Sequence, residues 1–351
     1  MKKSIYIFLV VVLFSACEKI ELTFPPDNQI LAENALQTSE DLQKFLNSCY
    51  DVLANTYNGN CQNLATLQAD DVTSPNSQLD YLEVYNRNTI FFNGTIGGYY
   101  KQPYIAVYRS NYLLENVDLI SEITDEDKNR MTAEARFIRV LCHFDLVRLF
   151  AHPYGYTSDN SHNGIIIKTS TDPDPKPRNT VGEVYDFMIS ELIEISNLLP
   201  ENNGNYANKY SAHALLAKIY FQTNQLDLAI DQTNEVINSG IYTLDNDSLF
   251  IHRFREQLSQ EAIFSIVSTS NFDNRSGQFT GNYRSDINAN PTLRASEELF
   301  DLVNIFGEEE DKRASWFELK NAGAENEFVA VNKFNKEYFN IPLLHLTEMY
   351  L

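Results

Sequence analysis

Aromatic, amide and carboxylate side chains gather in segments of this sequence that mostly lack a clear helical period. The members of this set are Asp70, Asp71, Tyr81, Tyr85, Phe91, Phe92, Asn93, Tyr99, Tyr100, Tyr283 and Trp316. Flat aromatic rings can stack on the C–H faces of sugar rings, and amides and carboxylates can hydrogen-bond sugar hydroxyls. These side chains are therefore candidates for a ligand-binding surface. For each ring, packing against the core is the alternative interpretation.

A second group of polar residues lies in the stretch Met131–Phe150. Two apolar stripes predict a helix there that is covered on most sides. Glu134, Asp145 and Arg148 fall close together between the stripes on a helical wheel, and Asp145 and Arg148 are spaced to pair directly. We interpret these residues as structural ion pairs and not as catalytic groups, because a neighbouring arginine keeps an acid ionised.

The motifs of common catalytic and metal sites are missing from the sequence. There is no Gly-rich phosphate loop and no nucleophile elbow. The run that begins at Asp125 starts like a calcium loop, but Arg130 and Arg136 stand where that loop needs glycine and an acid. We predict no catalytic residue, no metal and no cofactor. A glycoside hydrolase remains an alternative, because the spacing of two carboxylates in space is not visible in a sequence.

Charge narrows the range of partners. The formal net charge is -21. A strongly acidic surface repels phosphate backbones, so we expect no nucleic-acid partner. The same charge gives no attraction to anionic lipid, so any membrane contact must have another cause.

The first residues of the sequence predict a lipid anchor, which would account for a membrane contact. Lys2 and Lys3 precede a short apolar run and the small residues Ser15 and Ala16, which stand directly before Cys17. The run is too short to span a bilayer and is typical of a signal peptide. We predict a lipoprotein signal peptide over residues 1–16, lipidation of Cys17 and a lipidated tether over residues 17–30.

Three further cysteines follow Cys17. They are Cys49, Cys61 and Cys142. An odd number leaves at least one thiol unpaired. Whether Cys49 and Cys61 form a disulfide stays open, because sequence spacing does not fix the geometry of the bond.

The rest of the chain predicts helices that must position the candidate residues. A helix should follow the cap at Thr38, and another should begin near Tyr104, with a loop-rich stretch over residues 56–98 between them. Further helices are expected at 131–150, 181–199, 210–222, 226–239 and after Ser296, with a strand at 261–267 and a surface loop at 272–291. Leu216, Ala217, Tyr220 and Ala229 stand at the offsets of a tetratricopeptide repeat, although the match is partial.

Several segments resemble, in the same order, one protein family. These segments are Arg109–Leu114, Glu134–Phe150, Thr180–Tyr185, Ala212–Tyr220, Asp311–Arg313, Ile341–Leu343 and Glu348–Leu351. The chain is similar in them to the SusD/RagB outer-membrane nutrient-binding lipoproteins of Bacteroidetes. The resemblance implies a mainly α fold, in which tetratricopeptide-like helical hairpins form a scaffold with long ligand-binding loops and minor β structure.

The resemblance also implies boundaries. The SusD-like helical domain would cover residues 31–351, with tetratricopeptide-like helices at approximately 131–240 and from about 341. Family members usually continue past the segment that matches Glu348–Leu351, so the domain is expected to be incomplete at its C-terminus.

The function that the resemblance implies is nutrient binding without catalysis. Such a protein sits on the outer membrane through its lipid, is exposed at the cell surface, and delivers an oligosaccharide or polysaccharide, or in some branches a peptide, to a SusC-like TonB-dependent transporter. The main alternative is an envelope assembly or interaction lipoprotein that uses its tetratricopeptide-like helices. A lipid-anchored glycan hydrolase is a third hypothesis.

Overall fold

The computed structural model describes residues 36–74, 78–270, 272–305, 307 and 311–351. The predicted signal peptide, Cys17 and the tether at 17–30 lie outside the described residues. Within the described ranges, none of the helices combines the length and the apolar character that a membrane span requires. The predicted mainly helical fold with minor β structure is confirmed.

Three long helices form the first half of the core. Helix α1 (Ser39–Thr56) begins at a capping box, in which Thr38 accepts from the backbone N–H of Asp41 and Asp41 accepts from that of Thr38. It packs against α4 (Gly94–Asn116) and α5 (Asp125–Phe150). Helix α5 is buried over most of its length from Met131 onward, as its two apolar stripes predict.

The second half of the core is built on a helical hairpin. Helix α6 (Val181–Ile195) packs between α5 and α7 (Lys209–Gln222). Helix α7 turns at Asn224, which has a positive φ of 58°, into α8 (Leu226–Ile237). Ala217 and Ala229 are buried where these two helices meet, so the predicted hairpin is confirmed.

The stretch 56–98 is not the long loop that we expected. It contains α2 (Asn60–Gln68), α3 (Leu79–Tyr85) and the first turns of α4. Helix α4 also begins ten residues before the expected position near Tyr104, because the side chain of Asn93 accepts from the N–H of Ile96 and caps it. Helices this short carry too few apolar positions to show a clear period.

The strands form two small sheets. Antiparallel strands run in the order β1, β3, β5, β4 in the first sheet, and β2 pairs with β6 in the second. The strands are β1 (Val72–Thr73), β2 (Ala262–Ile266), β3 (Arg294–Ala295), β4 (Phe317–Lys320), β5 (Phe328–Val331) and β6 (Ile341–His345). The predicted strand at 261–267 is confirmed as β2.

The remaining helices are short. They are α9 (Asp247–Ile251), α10 (Gly277–Tyr283), α11 (Glu297–Asn304) and α12 (Leu346–Tyr350), with 3-10 turns at Val117–Leu119 and Lys312–Trp316. Two expectations need correction here. The final helix begins at Leu346 and not near residue 341, because 341–345 pair with β2. The surface loop expected at 272–291 contains α10, which inserts Phe279 and Tyr283 into the core.

Candidate functional site

Three of the predicted ligand-binding tyrosines are buried. Tyr81, Tyr99 and Tyr283 expose only 3%, 3% and 2% of their surface. The hydroxyl of Tyr99 donates to Cys61 Sγ across 2.8 Å, and that of Tyr283 lies 3.3 Å from Thr66 Oγ1. These three rings are buried and offer no exposed stacking face, so their contact with a ligand stays a prediction.

Asn93 and Asp71 also have structural contacts. Asn93 is buried at the start of α4, where its amide nitrogen donates to the backbone of Asp80 and to Glu83. The backbone carbonyl of Asp71 accepts from Ser296 N, which ties β1 to the start of α11. The side chain of Asn93 thus has a structural role, whereas the bond at Asp71 involves its backbone and the ligand contact of its carboxylate stays a prediction.

The exposed candidates lie close together in the chain. Phe91 and Phe92 expose 94% and 84% of their surface, and their ring centroids are 5.2 Å apart with an edge-to-face angle of 84°. Tyr100 is partly exposed and meets the ring of Phe150 edge-on. Tyr85 packs against the core. The Phe91–Phe92 pair is thus the most accessible aromatic surface among the predicted residues.

A polar cleft opens between α1, α3 and the start of α4. We call it the amide cleft, and its volume is about 410 Å³. Its lining residues are Asn55, Thr56, Asn58, Asn60, Gln78, Tyr81, Gly94, Thr95, Gly98, Tyr99, Gln102 and Gln278. Six of these residues carry side-chain amides, and none carries a formal charge at neutral pH. Two predicted residues, Tyr81 and Tyr99, therefore come together, as parts of a wall and not as stacking platforms.

The chemistry of the amide cleft is that of a hydrogen-bonding surface without charge. Each side-chain amide offers two donors and one acceptor oxygen, which suits groups that both donate and accept, such as sugar hydroxyls. Gln78 and Gln102 are exposed at the cleft. Sequence analysis missed all six amides because they are spread over residues 55–278 and no local spacing relates them.

Trp316 lies at a second cavity, of about 490 Å³, which we call the Trp316 cavity. Its indole N–H donates to the carbonyl of Ile251 across 2.9 Å, and its ring packs 5.1 Å from that of Phe250. The charged side chains at this cavity are Arg284, Asp286, Glu318, Lys320, Lys333 and Lys336. Trp316 therefore packs partly against the core and partly lines the cavity. The Trp316 cavity is lined by charged side chains, whereas the amide cleft is not.

The three predicted ion-pair residues form two separate groups. Arg148 Nη1 lies 3.2 Å from Asp145 Oδ1, while Glu134 pairs with Arg130 across 2.7 Å. Glu134 cannot join the other two, because eleven residues of helix separate it from Asp145 by about 16 Å along the axis. A helical wheel shows only the direction of each side chain around the axis and not its position along it. For this reason the three residues appear as one cluster on the wheel.

Thiols and possible metal ligands add no further site. Cys49, Cys61 and Cys142 are free thiols, and burial raises the pKa of the Cys49 thiol to about 12. In the part of the chain that the structure covers, no group of three or more His, Cys, Asp or Glu residues could hold a metal ion.

An apolar groove lies where α7 and α8 meet α12. Its volume is about 550 Å³, and its apolar lining includes Phe221, Leu226, Ile230 and Met349. Phe221 exposes 65% of its surface and Ile230 exposes 56%. Lys218 Nζ lies 2.9 Å from Glu348 Oε1, and this ion pair joins α7 to α12.

The fold and these clefts define a class: helical proteins with a tetratricopeptide-like hairpin, whose ligand-sized clefts are bordered by loops and short elements. Residues 22–221 match the model of the SusD-like family described as starch-binding and associating with the outer membrane. The chain belongs to this SusD-like family.

Relatives agree with this assignment. A SusD-like protein of Formosa agariphila is 24% identical over 276 residues, which are 75% of this chain and 50% of that protein. A SusD superfamily structure from Bacteroides vulgatus has a TM-score of 0.78 at 23% identity and covers 90% of this chain and 74% of that one. A laminarin-binding SusD-like protein has a TM-score of 0.71 at 18% identity, with 90% and 79% covered. The chain spans about half the length of the curated relatives that it matches.

Proposed function

We propose that this protein is a cell-surface glycan-binding lipoprotein that delivers its ligand to a SusC-like TonB-dependent outer-membrane transporter. The observation that carries the binding step is the amide cleft, in which six side-chain amides line a space of about 410 Å³ without a formal charge. Membership in a family described as starch-binding supports the same class of ligand. A neutral oligosaccharide fits this lining better than a peptide, because a peptide brings apolar side chains and charged ends that the cleft does not match.

Binding can be tested by calorimetry with laminarin and starch oligosaccharides. The Gln102→Leu variant removes an exposed amide from the cleft while it keeps the side-chain volume similar. We expect affinity to fall about three- to tenfold, the value of one or two neutral hydrogen bonds. Gln257→Leu changes an exposed glutamine that does not line the cleft and should leave affinity unchanged. Equal affinity of both variants for every glycan that binds would rule out the cleft.

Localisation and delivery are further parts of the proposal. A lipid on Cys17 would hold the protein in the outer membrane, on the cell surface. A pull-down of the tagged full-length protein from gently solubilised outer membranes of a Bacteroidetes host should recover a TonB-dependent barrel in near-stoichiometric amount. A Cys17→Ala variant should lose the lipid label and leave the membrane fraction. An abundant, lipidated protein that brings no barrel would contradict delivery.

We propose that the protein is not an enzyme. Binding in the amide cleft needs no carboxylate or imidazole, and neither group is among its lining residues. Incubation with each bound glycan should release no reducing sugar. Release of reducing sugar that is lost on mutation of one specific carboxylate pair would instead support the hydrolase hypothesis.

The assembly or interaction lipoprotein remains a second candidate function, and the apolar groove is the observation that favours it. Exposed apolar side chains such as Phe221 and Ile230 are typical of surfaces that bind another protein. If no glycan binds, and a defined envelope partner is lost in the Ile230→Glu variant but not in Gln102→Leu, this function should replace glycan delivery.

A further inference from the structure

Lys333 has an unusual position at the wall of the Trp316 cavity. Its ammonium nitrogen lies 4.9 Å from the ring centroid of Phe334 and 5.9 Å from those of Phe254 and Trp316. Cations are attracted to aromatic faces at such distances. Among the described residues, no carboxylate lies within ion-pair distance of this nitrogen. Lys333 is thus a half-buried cation that lies among aromatic rings and forms no ion pair with a described carboxylate.

The charge balance around the cavity differs from that of the whole protein. Four lysine or arginine side chains and two carboxylates line it, so two positive charges are left over in a chain of net charge -21. Arg284 pairs with Asp286 and Lys320 with Glu318, at 2.5 and 2.6 Å. Lys333 and the exposed Lys336 supply the excess.

Lys333 also carries its charge at an energetic cost. Burial lowers the pKa of its ammonium to about 8, the negative charge of Asp71 opposes the shift, and the positive charge of Arg253 adds to it. The side chain therefore remains mostly protonated at neutral pH. A half-buried cation that keeps its proton and forms no ion pair is stabilised by an anion that enters the cavity.

From this geometry we infer that the Trp316 cavity binds an anionic substituent of a glycan, either the carboxylate of a uronic acid or a sulfate ester, through the ammonium of Lys333. The inference rests on the proposed glycan-binding function and names the class of sugar. Trp316, held by its bond to Ile251, offers an aromatic wall beside the cation. The amide cleft and the Trp316 cavity would then take neutral and acidic units, respectively.

The test compares matched ligands on the full-length protein. Oligogalacturonate differs from its methyl ester by the charge and one methyl group on each carboxyl, and a sulfated galactan oligosaccharide differs from its desulfated form by the sulfate groups. We expect the wild type to bind at least one acidic member about tenfold or more tightly than its neutral counterpart, the value of a charge-assisted hydrogen bond. Preference for oligogalacturonate would show that the site binds a carboxylate, and preference for the sulfated galactan oligosaccharide would show that it binds a sulfate.

Two variants distinguish the effect of the charge on Lys333 from the effect of the protein's net charge. Lys333→Met removes the charge and leaves an unbranched apolar chain among the rings, and it should lose the preference for the acidic ligand. Lys44→Met makes the same change on α1, where Lys44 is exposed and lines neither cavity, and it should keep the preference. Circular dichroism should report the same fold for both.

The outcomes are distinct. Equal binding of acidic and neutral ligands by the wild type would overturn the anion site even if Lys333→Met failed to fold, and the proposed function would stand. Equal preference in Lys333→Met and Lys44→Met would overturn the role of Lys333, whose charge the aromatic rings alone would then stabilise. A protein that binds no glycan at all would overturn the proposed function and the inference with it.

Discussion

The hydroxyl of Tyr50 donates a hydrogen bond to Oε2 of the buried Glu134 across 2.6 Å, and this bond joins α1 to α5 over 84 positions of sequence. The same hydroxyl accepts from the backbone N–H of Ala207 at 3.0 Å, just before α7. Burial raises the pKa of Glu134, while hydrogen bonds from Tyr50 and Arg130 oppose that rise. One phenol oxygen therefore ties three parts of the core together.

We predict that Tyr50→Phe lowers the free energy of unfolding by about 2 kcal/mol, because it leaves a buried carboxylate oxygen and a backbone N–H without their partner. Urea denaturation measures this change. Tyr220→Phe is the control, since Tyr220 is also buried but its hydroxyl forms no hydrogen bond to a described residue. A loss no greater than that of the control would show that the bond adds nothing to stability.

The ion pairs between α5 and α6 give a second prediction. Arg136 donates to Glu191 at 2.8 and 3.1 Å, and Arg139 donates to it as well. Burial opposes ionisation of Glu191, but the two guanidinium groups prevail and hold its pKa below the usual value. Glu191→Gln should lower the free energy of unfolding by about 3 kcal/mol, because it leaves two partly buried cations with less compensation.

Glu194 provides the matched control for that prediction. Its carboxylate lies 2.5 Å from Arg136, but its side chain is 60% exposed, against 13% for Glu191. Exposed pairs contribute about 0–1 kcal/mol, so Glu194→Gln should have little effect. Equal losses in chemical denaturation would mean that burial does not decide the strength of these pairs.

His143 predicts how stability depends on pH. Burial lowers the pKa of its imidazole to about 4. Nδ1 lies 2.7 Å from the carbonyl of Arg139, and Nε2 accepts from the N–H of Lys168, which suits the neutral ring. The unfolded chain protonates first as pH falls, so this contribution is complete above about pH 6.5 and is lost between about 6.5 and 4.

The shift in the pKa of His143 sets how much stability is lost as the pH falls. A change from 6.5 to about 4 corresponds to about 3 kcal/mol. His143→Gln should reduce the loss of stability between pH 7 and pH 4 by about this amount, measured by urea denaturation at each pH. His345, whose pKa burial also lowers to about 4, keeps part of the slope in the variant. The exposed His252→Gln should retain the wild-type slope; if it does not, burial of His143 is not the cause.

Phe92 tests the aromatic part of the sequence-based hypothesis. Its ring is 84% exposed and pairs with that of Phe91, so Phe92→Ser should change the free energy of unfolding by less than about 0.5 kcal/mol. If the ring stacks on a sugar, affinity for that glycan should fall about three- to tenfold in calorimetry. Phe272→Ser, at another exposed phenylalanine, is the control. Unchanged affinity in Phe92→Ser would remove the pair from the binding surface.

Local patterns in the sequence were sufficient to predict the long helices of the scaffold. The cap at Thr38, the two apolar stripes of Met131–Phe150 and the small residues Ala217 and Ala229 each act within one or two helices, so their spacing predicts structure directly. These patterns predicted α1, α5 and the hairpin of α7 and α8. The order of the motifs along the chain indicated the family.

The sites required the tertiary structure. Asn55, Gln102 and Gln278 meet in one cleft although no pattern relates their positions, because their meeting depends on how α1, α4 and α10 pack. The sequence predicts a loop around Tyr283, yet the residue is buried beside Phe279 and Phe334, because a short helix turns it inward. The sequence alone thus determined the long helices of the scaffold and the family to which they belong. Only packing decided which side chains face a ligand, since contacts between distant segments leave no periodic signal within either one.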